Sequence, residues 1–428
     1  MAALFFARVA AAQAPPNSAP PPEPPVVLLP VVRSLTLPDA LKQALDRNPS
    51  VLQIAEEVGR AQAVVEEVRA SSLPQLSLNG TLTELDHNRT LGGVVFVPQR
   101  QVNVDVQLTV PIIEPRMWVQ WSHAKEQVDV QRLTLGEARR QLAISVGHTF
   151  LSLLAEHSVV ELDELAVVND QAHATFTEAR FKGGFGNRID FVRAQQQVEA
   201  DKALRESALA QLVKYREALG VLLAVDEPVD VNGTADLGPA PDRSQALEDS
   251  QKRSDVEESQ LRLVAARHVV RDDYADYLPT LSAVGFPFFQ DPRTVQVPQW
   301  GWEIQLLLSW QIYDGGLRYG LGHERERLRR EAELGFEGTR RQAASDVRSA
   351  ADSLSRAQEA LADSQRAAKL ADSALQLATL AYKAGAATNI EVIDAERVSR
   401  DAETQSVVSA DAARQALFDL LVASGKLP

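Results

Sequence analysis

A chain of 428 residues is long enough to form several packed units, but only 6% of it is aromatic, and long stretches consist mainly of Ala, Leu, Val, Glu, Arg and Gln, as in extended helices. The absence of cysteine excludes a disulfide framework, a thiol nucleophile, thiolate metal sites and an N-terminal lipid-bearing cysteine. The net charge of −14 disfavours nucleic acid as a partner, because nucleic acid requires a basic surface. Since no apolar run approaches the ~18–20 residues of a membrane-spanning helix, any membrane crossing would use strands.

Residues 1–34 are predicted to be a signal-like segment followed by a proline-rich linker. A short apolar run around Leu4 to Val9 ends in small residues, which resembles the end of a secretory signal, although Arg8 is its only basic residue. The alternative interpretation is a disordered tail. The prolines between Pro15 and Pro30 prevent packing and indicate a linker.

The next segment, residues 35–225, is predicted to be a first structural repeat that begins with a helix ending at Leu73-Pro74. Two strands follow at about 74–86 and 100–112. Between 102 and 112, Val, Leu and Ile alternate with Asn103, Asp105 and Gln107, which predicts a strand with one apolar and one polar face. Its length falls within the ~9–11 residues that a tilted membrane strand needs.

A helical pattern then runs from about Arg116 to about Arg180, with Val128, Leu135 and Leu142 at the seven-residue spacing of a coiled coil. A glycine-rich break follows at 183–186, and a further helix continues to about 225. Glycine permits the positive φ at which a helix ends and the chain turns. The break therefore predicts the tip of a helical hairpin.

After a linker at 226–243, residues 244–428 are predicted to repeat the first plan of helix, two strands, long helix, tip and helix. The strands are placed at about 279–289 and 299–311. Matching landmarks occur in the same order in both halves: Leu73-Pro74 and Leu278-Pro279, Leu76-Ser77 and Leu281-Ser282, Gly80 and Gly285, Val97-Pro98-Gln99 and Val297-Pro298-Gln299, and the tips around Gly184 and Gly385.

Four strands per chain suggest an assembly, because the smallest membrane barrels use about eight strands and open sheet edges are not tolerated in lipid. Three chains would supply 3 × 4 = 12 strands. The even-numbered residues of 102–112 and 300–310 are predicted to face lipid, and the interleaved polar residues the lumen: Asn103, Asp105, Gln107, Glu303 and Gln305. Interfacial aromatic positions are predicted for Trp300, Trp302 and Trp310. The alternative is a soluble sheet whose apolar face covers a core.

Four features occur together between about Leu35 and Leu421: the two-fold layout, the Leu-Pro-Gln-Leu and Leu-Pro-Thr-Leu entries to the strands, the Tyr313-Asp314-Gly315-Gly316 exit and the two aromatic-x-x-Gly tips. As a set, they resemble the TolC-like outer-membrane efflux channel family. The resemblance implies a mostly α-helical fold with membrane β-structure. It implies a homotrimer in which a 12-stranded β-barrel in the outer membrane of a Gram-negative bacterium continues as a periplasmic α-helical barrel. The implied partners are outer-membrane lipid, a periplasmic adaptor protein and an inner-membrane pump, and the implied activity is passive conduction.

The same resemblance implies a gate at the periplasmic tips. Acidic residues six and nine positions after the second tip glycine narrow the mouth in the family, and here these are Glu391 and Asp394; Asp190 corresponds at the first tip, and Tyr382 ends the long helix. The implied adaptor-docking residues are Phe181, Gly183, Gly184, Lys383 and Gly385. Ala387 stands where the family often has a locking arginine, for which Arg188 is a candidate substitute. The alternative is that the acids only solvate helix starts.

No constellation of residues indicates an enzyme, a cofactor or a metal site: the seven histidines are scattered, and no nucleophile–base set is recognisable. The alternative function is that of a soluble periplasmic coiled-coil adaptor or scaffold protein. Such an adaptor should interrupt its hairpin with a β-rich domain, which residues 226–241 do not suggest.

Overall fold

The computed structural model describes residues 33–233 and 235–426. The signal-like segment predicted for residues 1–34 lies outside them, apart from Arg33 and Ser34, which begin a short strand. None of the helices within these residues combines the length and the apolar character needed to cross a membrane.

The described chain is mostly helical. Its α-helices are α1 (Leu37–Arg47), α2 (Pro49–Ala70), α3 (Pro115–Lys182), α4 (Arg188–Leu222), α5 (Arg243–Ser250), α6 (Ser254–Arg271), α7 (Leu317–Lys383) and α8 (Asn389–Ala423), with a 3-10 turn at Asp272–Tyr277. Its strands are β1 (Arg33–Leu35), β2 (Gln75–Glu84), β3 (Arg89–Leu91), β4 (Val94–Val97), β5 (Arg100–Ile113), β6 (Val229–Val231), β7 (Thr280–Asp291) and β8 (Trp300–Ser309).

Two long helical hairpins dominate the molecule. The 68-residue α3 turns back into α4, and the 67-residue α7 turns back into α8. At a rise of 1.5 Å per residue, each long helix extends for roughly 100 Å. The two hairpins pack together mainly through α3 and α8, while α2 and α6 flank the halves of α3 and α7 that lead to the strands.

Strands β2, β5, β7 and β8 form one antiparallel sheet in the order β2-β5-β7-β8. The strands therefore come from both halves of the chain, and β5 of the first half pairs with β7 of the second. Strands β3 and β4 form a separate hairpin within the loop between β2 and β5. The four-stranded sheet leaves β2 and β8 at its edges.

The main apolar core lies near the middle of the long helices, where α1, α3, α4 and α8 meet. Phe150 of α3 and Phe418 of α8 are 1% and 0% exposed, and Leu219 of α4 is also fully buried. Gly147 allows the Phe418 ring to sit there, because a Cβ atom at position 147 would lie 2.1 Å from that ring. We call this region the apolar centre.

Three features differ from the sequence interpretation. The first predicted helix is divided into α1 and α2, because Asn48 precedes Pro49, leaves the helical conformation (ψ 124°) and caps α2 by accepting a hydrogen bond from the Ser50 amide. The linker at 226–243 contains β6, which pairs in parallel with β1. The last predicted strand ends at Ser309, two residues before its expected end.

Candidate functional site

The four-stranded sheet separates apolar from polar side chains by register. Residues directly opposite each other in antiparallel strands lie on the same face. Leu78 pairs with Val106, Val104 with Phe289, and Phe289 with Trp300, so the apolar rows of all four strands share one face. A shift of one residue in the pairing between two strands would place apolar and polar side chains on the same face.

The apolar face is exposed. Leu76 and Leu78 of β2 are both 71% exposed, and Ile304 and Leu306 of β8 are 69% and 71% exposed. Monomeric soluble proteins rarely expose a continuous apolar surface of this kind, and such surfaces mark contacts with membranes or other chains. The exposure argues against a soluble sheet that covers a core.

The opposite face carries the amides and carboxyls that the sequence assigned to a lumen. The Asn79 amide donates to the Asp105 carboxylate across β2 and β5 at 2.9 Å, and the Gln305 amide donates to Glu303 along β8 at 2.7 Å. Asn103 and Gln107 lie in the same row. Strand β7 adds Val284, Phe286 and Phe288 to this face, a contribution that its weak alternation did not predict.

The three tryptophans predicted to be interfacial lie at two levels of the molecule. Trp300 and Trp302 begin β8 on the apolar face and are more than 70% exposed. Trp310 lies just beyond the end of β8, where its indole N–H donates to the Tyr277 carbonyl at 3.2 Å. This places it at the border between the sheet and the helices.

The two helical tips have the same backbone geometry. Gly184 and Gly385 have φ values of +74° and +76°, and the following amides, of Phe185 and Ala386, donate to carbonyls five residues earlier at 2.9 and 2.8 Å. This is a Schellman-type ending, in which glycine avoids the strain of positive φ. The repeated tip motif in the sequence therefore corresponds to repeated geometry.

The predicted docking residues surround these turns. Phe181 stacks on Phe191 with ring centroids 6.5 Å apart, Gly183 caps the end of α3, and Lys383 ends α7. The neighbouring Phe185, which was not among the residues predicted from the sequence, is 83% exposed in the turn of the first tip.

The four predicted gate residues do not form one cluster. Tyr382 and Asp190 line the same cleft beside the first tip, and Tyr382 is buried beneath the guanidinium of Arg180, which lies 4.9 Å from its ring. Burial raises the pKa of the Tyr382 hydroxyl. The arginine that lies over the Tyr382 ring is Arg180, and the candidate substitute Arg188 lines the same cleft.

Glu391 and Asp394 instead make local contacts on α8. Glu391 completes a capping box, in which its carboxylate accepts the Thr388 amide at 3.1 Å and the Thr388 side chain caps the helix in return. Asp394 pairs with Arg397 at 2.9 Å and remains largely exposed. Both contacts agree with the alternative in which these acids serve the start of α8, and the Asp394 carboxylate remains accessible to solvent.

A contact that the sequence analysis missed joins the two tips directly. Asn389, the first residue of α8, is 2% exposed and lies between the hairpins. Its amide nitrogen donates to the Asp190 carbonyl at 3.2 Å, and its oxygen accepts from Nε2 of His173 at 2.8 Å. Because both ends of the amide are used, Asn389 ties α8 to both α3 and α4.

A buried acidic cluster lies farther along the same helices. Its members, which we call the polar seam, are Asp163 and Asp170 of α3, Asp201 of α4, and Glu396 and Arg400 of α8. Arg400 forms an ion pair with Asp201. Burial, together with the neighbouring acids Asp201 and Glu396, raises the pKa of Asp170 to about 8. Burial also raises the pKa of Glu396 to about 7, and Asp201 adds to this effect.

The sequence contained a signal for the polar seam. The heptad row that begins at Val128, Leu135 and Leu142 reaches Asp163 and Asp170 in further steps of seven, so the coiled-coil row changes from apolar to acidic. On α8, Asn389 and Glu396 are likewise seven residues apart. Polar residues in a core row predict buried polar contacts, but spacing alone does not identify their partners.

Solved structures with the same fold include a membrane protein from Pseudomonas aeruginosa, with a TM-score of 0.81 and 21% sequence identity over 92% of this chain and 91% of that chain. The outer membrane protein VceC from Vibrio cholerae gives a TM-score of 0.77 with 18% identity over 91% of this chain and 96% of that chain. The Neisseria gonorrhoeae MtrE outer membrane channel gives a TM-score of 0.76 with 20% identity over 91% and 89% of the two chains. No curated protein sequence matches the chain significantly.

The match to a protein family covers most of the sequence. The family described as "Outer membrane efflux protein" matches residues 40–225 and 244–426, which contain the four-stranded sheet and both long hairpins. With an exposed apolar sheet face and two helical hairpins of matching tip geometry, this chain belongs to the outer membrane efflux protein family.

Proposed function

We propose that this chain forms the outer-membrane exit duct of a tripartite efflux or type I secretion system and acts as a passive conduit. The observation that carries the proposal is the sheet, whose register gives one exposed apolar face and an opposite face where β2, β5 and β8 carry the amides and carboxyls and β7 adds apolar side chains. An apolar face suits lipid, and a polar face suits a water-filled lumen.

The proposed channel is a homotrimer. In the sheet order β2-β5-β7-β8, the edge strands β2 and β8 offer backbone groups to neighbouring chains. Backbone groups left unpaired in lipid are costly, so pairing β8 of one chain with β2 of the next would close a 12-stranded barrel. In this proposal, residues 35–225 and 244–428 are two structural repeats, and their hairpins form a periplasmic helical barrel beneath the membrane.

Opening is proposed to occur at the tips. Three copies of Asp394, Glu391 and Asp190 would place carboxyl groups around one axis, and a ring of carboxylates attracts cations and repels anions. Tyr382 would hold the two hairpins of each chain together. The exposed tips around Phe181, Gly184 and Gly385, with Gly183 and Lys383, are the proposed docking surface for a periplasmic adaptor, which would connect the channel to an inner-membrane pump.

Cysteine labelling in intact membranes tests the sheet, because the native chain has no cysteine to interfere. We expect a water-soluble maleimide to label Gln107→Cys and to leave its neighbour Val106→Cys unlabelled. The purified protein should require detergent and migrate as a trimer. Equal labelling of the two positions, or recovery as a soluble monomer, would contradict the channel.

Single-channel recording tests the gate. Removing both Glu391 and Asp394 by substitution with Ala should raise conductance and weaken cation preference if these acids line the mouth. The matched control replaces Glu359 and Asp363, two exposed and ion-paired acids of α7 far from the tips. Unchanged conductance and selectivity in the tip variant would leave these acids with a capping role only.

A further inference from the structure

We propose that the polar seam borders a binding site for a linear organic cation with an amino group at each end, of the diamine or polyamine class. A cavity of about 590 Å³ lies between α3, α4, α7 and α8 at this level. Its acidic lining residues are Asp170, Asp201, Glu396, Asp372 and Glu403. The basic groups that face them are Lys383 and Arg400, with His173 beside Glu396. The acids therefore outnumber the permanent cations.

Two carboxyl oxygens of the lining mark the place where a bound cation would compensate the excess of acids. Asp170 is only 5% exposed, and its Oδ2 is buried without a donor when the carboxyl is ionised; a protonated Asp170 shares its proton with Asp201. Oε2 of Glu396 is also buried without a hydrogen-bond partner. Arg400 does not donate a hydrogen bond to either oxygen, since its guanidinium pairs with Asp201 and Asp401. A buried acceptor without a donor is unfavourable, and an ammonium group in the cavity would provide donors and charge together.

The shape of the lining selects the class of cation. Within residues 33–233 and 235–426, no three acidic, histidine or cysteine side chains are grouped closely enough to hold a metal ion. Glu396 and Glu403 are seven residues apart on α8, which separates them by about 10 Å along the helix. Glu403 is close enough to Asp372 for that charge to add to the effect of burial, which raises the pKa of Glu403. The cavity thus has two acidic ends.

Apolar side chains occupy the lining as well. Leu162 of α3 and Leu375 of α7 face the same cavity, and Phe176 adds an aromatic ring. A carbon chain between two amino groups would contact these side chains while its ends reach the carboxylates. A short diamine would not reach both acidic ends.

Binding should be linked to proton release. Burial raises the pKa of Asp170 to about 8 and that of Glu396 to about 7, so both are partly protonated near neutral pH. A cation binds the ionised form, and it must therefore displace the proton. Affinity should fall by about tenfold per pH unit below the pKa of Asp170 for each proton displaced.

Isothermal titration of the purified full-length protein with spermidine tests the proposal. At pH 8 we expect saturable binding, accompanied by proton release that appears as a difference in heat between two buffers of unlike ionisation enthalpy. At pH 6 the affinity should be at least tenfold lower, and ethylenediamine should bind at least tenfold more weakly than spermidine at either pH.

Asp170→Asn should abolish the spermidine signal, and Glu396→Gln should weaken it at least tenfold. Neither change adds bulk, and both remove a charge that is costly to bury, so folding should survive; a thermal melt verifies it. The matched control is Glu164→Gln, an exposed acid on the same helix, which should bind as the native chain does. Absence of binding at pH 8, or equal binding by Asp170→Asn and the native chain, would overturn the proposal.

Discussion

The apolar centre and the polar seam are two parts of the same helices, and they are stabilised in opposite ways. Around Phe150 and Phe418, α3, α4 and α8 bury hydrocarbon, whose contribution to stability does not depend on protonation. Around Asp170 and Glu396, the same three helices bury carboxyl groups. Their packing is favourable only while a proton or another cation compensates the charge.

This difference separates a fixed part of the molecule from a part whose packing depends on conditions. The apolar centre holds the two hairpins together at mid-length, near the short β1–β6 pair. The polar seam lies between that centre and the tips. A duct that opens at its tips would need strong packing at mid-length and adjustable packing near the tips, and the heptad rows supply both.

The largest expected effect comes from breaking the apolar centre. Phe418→Ala should lower the free energy of unfolding by about 3–5 kcal/mol, because it removes a fully buried ring and leaves a cavity beside Gly147. The matched control is Phe185→Ala, the same change at a position that is 83% exposed, which should cost almost nothing. Urea unfolding followed by circular dichroism measures both. Equal costs would show that the apolar centre does not hold the hairpins.

The next effect concerns pH at the polar seam. The pKa of Asp170 is raised from its ordinary 3.8 to about 8 in the folded chain, so unfolding releases its proton throughout this range, and stability should fall as pH rises from about 4 to about 8. Asp170→Asn removes this penalty and should be more stable than the native chain at pH 8 by on the order of 2 kcal/mol, which allows for screening by water in the cavity.

Urea midpoints at pH 4 and pH 8 check this prediction. The native chain should lose more stability between the two pH values than Asp170→Asn does, whereas Glu164→Gln should follow the native chain. Parallel pH profiles for the native chain and Asp170→Asn would mean that this carboxyl does not titrate with a raised pKa.

A smaller effect is expected where Asn389 joins the tips. Asn389→Ala should destabilise the tip region by about 1–2 kcal/mol, because it removes the hydrogen bonds to the Asp190 carbonyl and from Nε2 of His173, and leaves that ring nitrogen of His173 without a partner. Hydrogen exchange measured by mass spectrometry should then rise in the first turn of α4 as well as in α8.

Thr388→Ala provides the control for that experiment. It breaks the capping box, whose two hydrogen bonds both lie within the start of α8, so faster exchange should be confined to the start of α8. If Asn389→Ala also left the exchange of α4 unchanged, the two tips would not be coupled through this amide.

The smallest effect, with the opposite pH sign, lies beside the apolar centre. The desolvation of Asp230 is outweighed by hydrogen bonds from His157 and Arg216, which lower its pKa to about 2. Its contribution is therefore present above about pH 4 and lost as pH falls towards 2. Asp230→Asn should cost about 1 kcal/mol at pH 7 and less at pH 3, whereas Asp236→Asn, an exposed acid of the same linker, should cost little at either pH.

Much of the architecture follows from periodicity. The period-two rows of β2, β5 and β8, the seven-residue rows of the long helices, and the glycines at the two tips each describe local geometry that a few neighbouring residues determine. For the same reason the break at Asn48-Pro49 was readable in principle, although the sequence analysis treated that stretch as one helix. Strands β1 and β6 were not readable, because three residues carry no period.

The same distinction between local pattern and tertiary contact applies to the candidate site. The sequence by itself marked the two glycine tips through their repeated motif, and the resemblance to the efflux channel family selected Tyr382 and the acids that follow Gly385 as gate residues, a role that stays a prediction. Only the tertiary structure decided that Glu391 caps its own helix, and that Asn389 meets Asp190 and His173 across some 200 residues. It also decided that Asp170, Asp201 and Glu396 come together. The physical reason is that a heptad row specifies which face of a helix is buried, whereas the identity of the buried partner depends on how separate helices are aligned along their axes.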